Sequence, residues 1–207
     1  MGVIRFIKPR FQKLILQEIK LDLYKIKQFI ESERENISNI SNLENLDKLI
    51  IFLIIGEDRR FYAHKGFDIF AIFRALRNRI FYGKKEGAST IDQQLVRVLT
   101  NQYDRTFRRK IKEIILATKL KEFLTKKEIA LLYLKVAYFG TNKQGLENIL
   151  FSYNLKLDDV LSDQICASII ARLKYPEPKS IVSNKHLLIE KRTKYLIKIY
   201  RKNGQHN

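Results

Sequence analysis

The chain has 207 residues, of which 45% are hydrophobic and 30% are charged. This composition excludes a disordered polyelectrolyte, and the length is sufficient for one domain with a buried core. Lys and Arg number 40 against 22 Asp and Glu, and the net charge of +18 favours a polyanionic partner, whether nucleic acid, an anionic membrane surface or a phosphorylated substrate.

Turn-forming residues are few, with eight Gly and three Pro separated by long stretches that contain neither. The chain is therefore predicted to be all-α, or mainly helical. The single cysteine, Cys166, excludes an intrachain disulfide and is interpreted as a core residue. The histidines are too scattered for zinc-ligand spacing: His64, His186 and His206.

The N-terminal segment, residues 1–46, is predicted to be a basic amphipathic helix followed by a linker over 36–45. Two interpretations stay open: a helix packed on the main domain, or a helix lying in a lipid headgroup layer. We see no export signal and no run of about 20 apolar residues, so we expect any membrane contact to be peripheral. The apolar positions are Phe11, Leu14, Ile15, Ile19, Leu23, Ile26 and Ile30.

The first group of candidate functional residues follows an apolar run over 49–55. Glu57 and Asp58 are predicted to lie at the edge of a buried element, where the surroundings tune the pKa of a carboxylate. The alternative is an exposed acidic turn. Four further residues in the same span favour a site: Phe61, His64, Gly66 and Asp68. Asp68 is also a candidate N-cap for a helix that continues to Phe81.

The second group follows Gly87, where Ser89 or Thr90 can cap a helix. A hydroxyl, an amide and a guanidinium then recur at i, i+4 and i+7, which places them in one row at a helix N-terminus. Such a row can hold a phosphate or sugar hydroxyls, and an ordinary capped helix with a polar face is the equal alternative. The residues are Thr90, Gln94 and Arg97, with Gln93 beside them.

The third group combines cations with a second carboxylate, Glu113. Arg109 and Lys110 lie four and three residues before it, on the same helical face. Charge runs of this kind are usually solvated faces, with pairs worth roughly 0.2–0.5 kcal/mol each. Beyond this group, an apolar helix over 161–173 and a basic closing helix from Lys185 are predicted.

With these three groups in view, the sequence resembles the peptidoglycan glycosyltransferases, found as monofunctional transglycosylases and in class A penicillin-binding proteins. The motifs occur in the family's order over roughly residues 48 to 178. They are Glu57-Asp58-x-x-Phe61-x-x-His64-x-Gly66-x-Asp68, Gly87-x-Ser89-Thr90-Ile91-x-Gln93-Gln94-Leu95 and Arg109-Lys110-x-x-Glu113.

The resemblance implies a lysozyme-like fold with a cleft between two lobes, and a transferase of cell-wall biogenesis at the bacterial cytoplasmic membrane. The implied partners are lipid II, the growing glycan strand, the anionic membrane surface and other cell-wall synthesis proteins. Nucleic acid is not expected, because no helix-turn-helix spacing is visible. The glycosyltransferase domain is drawn over 47–180 and a C-terminal basic helix over 181–207.

The resemblance also assigns roles. Glu57 would be the general base, and Glu113 would orient cations or hold a divalent cation, Mg or Mn; no organic cofactor is implied. The cations that would stabilise the departing diphosphate are Arg97, Arg105 and Lys110. The remaining motif residues would contact substrate or shape the cleft: Asp58, Phe61, His64, Ser89, Thr90, Gln93, Gln94 and Arg109.

Several supporting positions depart from the family pattern: Leu131 and Lys135 replace Glu and Asn, Val98 replaces Asn, and Arg172 and Lys174 replace Gly and Pro. Two alternatives therefore stay open. One is a degenerate, non-catalytic family member that binds membrane or glycan. The other is a lysozyme-like hydrolase that uses the two carboxylates of Glu57 and Glu113.

Overall fold

The structure, a computed structural model, describes residues 9–84, 87–179 and 184–204. The described part contains ten α-helices and no sheet, so the all-α prediction is confirmed. The helices are α1 (Pro9–Ser32), α2 (Arg34–Ser41), α3 (Asp47–Glu57), α4 (Ile69–Tyr82), α5 (Ile91–Thr100), α6 (Phe107–Leu120), α7 (Lys126–Val136), α8 (Gly145–Phe151), α9 (Asp163–Lys174) and α10 (Lys185–Gly204).

Helix α3 is the central helix and contains the apolar run identified in the sequence. Its residues Leu49, Phe52 and Leu53 are completely buried, and it packs against α7, α9 and α10. Removing this much apolar surface from water is the dominant favourable contribution to folding. The helix ends at Glu57, so the candidate carboxylate lies where the buried core meets a cleft.

The apolar stripe of α1 is covered by protein. Ile15, Ile19, Ile26 and Ile30 are at most 7% exposed, and α1 packs against α5 and α6. Of the two interpretations of this segment, the structure shows the packed helix. The expected linker over 36–45 instead includes most of α2, because Ile37 gives that segment an apolar side that is buried where α2 packs against α7.

Acidic residues of α1 also bind basic residues of α6. The buried Lys112 ammonium lies 2.8 Å from Asp22 and 3.2 Å from Glu18, and Arg108 binds Glu18 as well. A buried ammonium requires such partners, because desolvation of an unpaired charge is costly. Helix α1 therefore covers a charged face of α6 and is ion-paired with it. This face differs from the ordinary solvated charge run considered in the sequence analysis.

Helix α10 folds back on α9 and α3. Ile189, Thr193 and Leu196 are buried, and the rings of Phe52 and Tyr200 stack with centroids 4.5 Å apart. This packing brings the C-terminal part of the chain to the end of α3. Over the described ranges, no helix combines the length and the apolarity that crossing a membrane would require.

Helix α4 carries an exposed apolar surface. Asp68 is its N-cap, as predicted, with its side chain accepting a hydrogen bond from the Phe70 amide at 2.9 Å. No other described helix packs extensively against α4. The exposed apolar residues, each at least half exposed, are Ile69, Phe70, Phe73, Leu76, Ile80, Phe81 and Tyr82.

Three of the positions that depart from the family pattern, Leu131, Lys135 and Arg172, are accommodated by local packing or ion pairs. Leu131 is 2% exposed within the core. Lys135 of α7 lies 2.8 Å from Glu33, the residue that joins α1 to α2, and this hydrogen bond lowers the pKa of Glu33. Arg172 binds Glu177 at 2.6 Å. Leu131 is therefore accommodated by the apolar core, and the charges of Lys135 and Arg172 are each paired with a carboxylate.

Candidate active site

Glu57 presents both carboxylate oxygens to donors from other helices. Its Oε1 lies 2.9 Å from Arg192 Nη2, and its Oε2 lies 3.2 Å from Gln94 Nε2. Burial raises the pKa of Glu57, and the charge and hydrogen bonds of Arg192 and Gln94 oppose that rise in part. A carboxylate with a raised pKa is suited to accept a proton near neutral pH.

The Glu57 carboxylate faces a cleft of about 530 Å³. Five cationic and three acidic side chains line it, so the cleft favours a ligand that carries negative charge. The cations are Arg59, Arg60, Arg74, Lys174 and Arg192, and the acids are Glu57, Asp58 and Asp68. The segment 87–90 forms another part of the wall.

Glu113 is the centre of a second charged cluster, and its side chain is only 2% exposed. Arg97 binds it in a bidentate manner, at 3.0 and 3.1 Å, and Arg109 and Lys110 bind it too, the latter at 2.9 Å. Burial alone would raise the pKa of Glu113, but the hydrogen bonds and charges of Arg97 and Lys110 together outweigh burial and lower it. Three cations on one carboxylate leave two positive charges in excess.

The pKa of Lys110 is also shifted by its surroundings. Burial lowers the pKa of its ammonium, and the hydrogen bond and charge of Glu113 oppose that change in part. The ammonium also lies 2.5 Å from Gln93 Oε1 and 3.0 Å from Ser89 Oγ. These three partners, Ser89, Gln93 and Glu113, all accept hydrogen bonds from the ammonium and fix its position.

Ser89 and helix α5 connect the two carboxylates. Ser89 lines the Glu57 cleft, and its hydroxyl accepts hydrogen bonds from Lys110 and from Arg97, the latter at 3.3 Å. Helix α5 also carries Gln94 to Glu57 and Arg97 to Glu113. A ligand in the cleft can therefore approach the cationic cluster at the Ser89 side.

The residues of the first motif that follow Glu57 have a supporting function. His64 Nε2 lies 2.9 Å from Asp58 Oδ2, and the same oxygen accepts a hydrogen bond from the Ile91 amide at 3.1 Å. The Gly66 amide donates to His64 Nδ1, which places the ring proton on Nε2. Phe61 is completely buried beside the His64 ring. These contacts fasten the residues after Glu57 to the start of α5.

The second motif is fastened in the same way. Thr90, rather than Ser89, caps α5: its hydroxyl accepts from the Gln93 amide at 3.2 Å and donates to the Gly66 carbonyl at 2.7 Å. The row of Thr90, Gln94 and Arg97 therefore binds groups of the protein itself, among them the Gly66 carbonyl, Glu57 and Glu113. Arg105 is exposed and is not among the residues that line the cleft or bind Glu113.

Sequence reasoning did not identify Arg192 or Tyr133. Arg192 also donates to the Gly56 carbonyl at 2.8 Å, so it binds the last turn of α3 twice. A signal was present, because Arg192 lies three residues after Ile189 and four before Leu196, on the buried stripe of α10. The Tyr133 hydroxyl donates to Gln94 Oε1 at 2.6 Å, and no sequence pattern pointed to that contact.

The donor atoms near the two carboxylates do not fit a divalent cation. Both oxygens of Glu113 are bound by cations. One other group of possible ligands occurs in the described part of the chain, Asp58, His64 and Asp92. There His64 binds Asp58, and both oxygens of Asp92 lie 2.9 Å from the Lys126 ammonium. A metal ion would have to displace or repel these cations.

Comparison with known proteins identifies the family. A family model described as Transglycosylase matches residues 24–200. Penicillin-binding protein 1A of Escherichia coli K12 is 36% identical over 156 residues, covering 70% of this chain and 18% of that protein. The same protein of Rickettsia bellii is 36% identical over 150 residues, covering 70% and 19%.

A monofunctional glycosyltransferase of Staphylococcus aureus strain JH9 is 43% identical over 91 residues, covering 44% of this chain and 34% of that protein. The matched regions thus span about a third or less of these relatives' own length. The all-α architecture agrees with the lysozyme-like fold of transglycosylases. A family match over 177 of the 207 residues shows that this chain belongs to the transglycosylase family.

Proposed function

We propose that the chain is a peptidoglycan glycosyltransferase that polymerises lipid II into glycan strands. The observation that carries the proposal is the partly buried carboxylate of Glu57 in a cationic cleft, beside a second cationic cluster at Glu113. Family membership and the named glycosyltransferase relative support the same activity.

In the proposed reaction, the 4-hydroxyl of the acceptor sugar attacks the anomeric carbon of the donor sugar. A glycosidic bond forms, the bond from that carbon to the diphosphate oxygen breaks, and the configuration is inverted. Glu57 takes the hydroxyl proton, and polyprenyl diphosphate leaves with the electron pair. General base catalysis of this kind contributes about 10²- to 10⁴-fold to the rate.

The cationic cluster is proposed to receive the leaving group. The diphosphate gains negative charge as its bond to the sugar breaks, and preorganised cations stabilise that charge most effectively where water is excluded. Glu113 holds Arg97, Arg109 and Lys110 in fixed directions, with two positive charges in excess. The side chains supply this chemistry, and no step is assigned to a metal ion.

The same cluster argues against a two-carboxylate hydrolase. Such an enzyme needs its second carboxyl group as an acid, a base or a nucleophile. In this chain three cations bind Glu113, and the hydrogen bonds and charges of Arg97 and Lys110 lower its pKa, so the group is neither protonated nor free to attack. A cationic cluster also gives no advantage to the hydrolysis of a neutral glycosidic bond.

The test is incubation of the protein with labelled lipid II, followed by separation of polymer from monomer. We expect polymer from the wild type and a loss of at least about 100-fold in rate for Glu57→Gln, which keeps the side-chain shape but cannot accept the proton. Glu122→Gln is the matched control, because Glu122 is exposed and pairs with the exposed Lys119, away from the cleft.

Three outcomes contradict the proposal. Equal rates for wild type and Glu57→Gln would remove Glu57 as the base. Shortened glycan from a polymer substrate would indicate the hydrolase. Binding of lipid II without polymer, under conditions where the S. aureus enzyme is active, would indicate a non-catalytic member.

We further propose that α4 contacts an anionic membrane surface. Its apolar residues are exposed in a stripe, with Ile69, Phe73, Leu76 and Ile80 at i, i+4, i+7 and i+11. Arg77 and Arg79 are exposed on the same helix and can bind lipid headgroups. Exposed apolar surface of this extent typically marks a contact with a partner or with lipid, and nearby cations favour anionic lipid.

Vesicle sedimentation tests the membrane proposal. Binding to vesicles with anionic lipid should weaken with added salt, and the double variant Phe73→Ser/Ile80→Ser should bind at least about tenfold less, because two apolar side chains no longer enter the lipid. Phe151→Ser is the control, since Phe151 is 79% exposed on α8. Salt-insensitive binding, absent binding or an equal loss in the control would contradict it.

A further inference from the structure

Tyr133 is a buried residue that the proposed mechanism does not yet use. It lies on α7 with 5% exposure, and its hydroxyl is 2.6 Å from Gln94 Oε1. Gln94 Nε2 lies 3.2 Å from Glu57 Oε2. Three side chains from three helices therefore form one hydrogen-bonded chain that ends on the proposed general base.

The chemistry of the groups fixes the direction of this chain. Burial raises the pKa of the Tyr133 phenol far above neutral, so the group is a neutral hydroxyl that can donate. A carboxylate can only accept, and an amide has one accepting and one donating end. The Gln94 carbonyl must then face Tyr133, and its NH₂ group must face Glu57.

The other oxygen of Glu57 has the same kind of partner. Arg192 only donates, and it lies 2.9 Å from Oε1. Both oxygens therefore face hydrogen-bond donors. Neither the Gln94 NH₂ group nor Arg192 can accept a hydrogen bond from a protonated Glu57. The charged or titratable groups around Glu57 and Tyr133 are Asp58 on the Glu57 segment, Arg59, Arg60, Asp68 and Arg74 in the cleft, Lys174 of α9, Arg192 of α10, and Arg97 and Tyr103 near Tyr133.

We propose that Tyr133 is a positioning residue that acts through Gln94 to hold Glu57 as a hydrogen-bond acceptor, ready to take a proton. The inference depends on the proposed function, in which Glu57 is the general base. Without the Tyr133 hydroxyl, the Gln94 amide can rotate and turn its carbonyl toward Glu57. That orientation pairs with a protonated carboxyl group and so disfavours the active form.

The first test is the pH dependence of polymerisation by Tyr133→Phe. The acid limb of the kcat/KM profile should move up by about one pH unit, while the plateau at high pH stays near the wild-type rate. A purely structural role would instead lower the rate equally at every pH. Tyr153→Phe is the control, because it loses a comparable hydroxyl contact, 2.9 Å to Ser168, outside this chain of hydrogen bonds.

The second test needs no activity. With ¹³C-labelled glutamate, the carboxyl resonance of Glu57 is identified by its absence in Glu57→Gln and is then titrated by NMR. Its midpoint should be higher in Tyr133→Phe than in the wild type. Gln94→Met should raise the midpoint as well, and adding Tyr133→Phe to Gln94→Met should change it no further, because the connection is already broken.

The two proposals fail separately. Wild-type protein that makes no polymer would remove the proposed function, while the NMR titration would still test Tyr133. Polymer formation with an unchanged acid limb and an unchanged Glu57 midpoint in Tyr133→Phe would remove the role of Tyr133 alone. A further midpoint shift in the double variant would show that Tyr133 does not act through Gln94.

Discussion

Replacing Glu113 with Gln should destabilise the protein strongly, because three cations would lose their common counter-ion. Four donor contacts end on the Glu113 carboxylate, and its side chain is 2% exposed. Breaking a buried pair by removing one partner costs about 3–5 kcal/mol. Arg97 and Lys110 are themselves 27% and 30% exposed, so water can rehydrate part of their charge. We therefore expect the lower end, about 3 kcal/mol.

Urea unfolding followed by circular dichroism measures this loss, with Glu122→Gln as the control. The Glu122 pair with Lys119 is nearly half exposed on both sides, so its loss should cost less than about 1 kcal/mol. For a chain of this size, about 3 kcal/mol corresponds to a fall in melting temperature of roughly 6–12 °C. The activity of Glu113→Gln must therefore be measured well below the lowered melting temperature of the variant.

The effect of Glu113→Gln should also depend on pH. The folded-state pKa of Glu113 lies below its ordinary value of 4.5, so the carboxylate's contribution to stability is complete above that value. It is lost as the pH falls through the lowered folded-state pKa, whereas glutamine does not titrate. The difference in unfolding free energy between wild type and variant should therefore shrink below pH 4.5. A loss under about 1 kcal/mol at pH 7, or a difference that is constant with pH, would refute this reasoning.

Three further predictions concern stability and catalysis. Gly66→Ala should lower the free energy of unfolding in urea by more than about 3 kcal/mol, because φ is +105° and the added Cβ would lie 2.6 Å from the Ala117 backbone. The control Gly83→Ala, in open space at φ +62°, should lower it by only about 1 kcal/mol. Leu131→Glu, which restores the residue usual in the family, should lower the free energy of unfolding by about 3 kcal/mol or more at pH 7, because that position is 2% exposed. An unchanged free energy of unfolding would contradict the burial of this position. The polymerisation rate should fall with decreasing pH at a midpoint above 4.5, because burial raises the pKa of Glu57; a midpoint at or below 4.5 would contradict the role of burial.

Local patterns predicted much of this protein. The scarcity of Gly and Pro indicated an all-α chain, and the caps were predicted at Asp68 and at Ser89 or Thr90, of which the structure shows Asp68 and Thr90. Spacing on one helix also brought Arg109 and Lys110 to Glu113 correctly, since residues three and four apart are neighbours on a helix whatever else the chain does. Composition was misleading for 36–45, where Asn and Ser suggested a linker but Ile37 is buried in α2.

The sequence by itself determined the helices, their caps and the motif order, because each depends on residues within a few positions of one another. Only the tertiary structure decided which donors meet Glu57, since Arg192 is 135 residues away and arrives through the packing of α10 against α3 and α9. The same is true of Tyr133, whose hydroxyl reaches Glu57 through Gln94 across the contact of α5 with α7. The ionisation of a buried carboxylate depends on such long-range neighbours, and no local pattern encodes them.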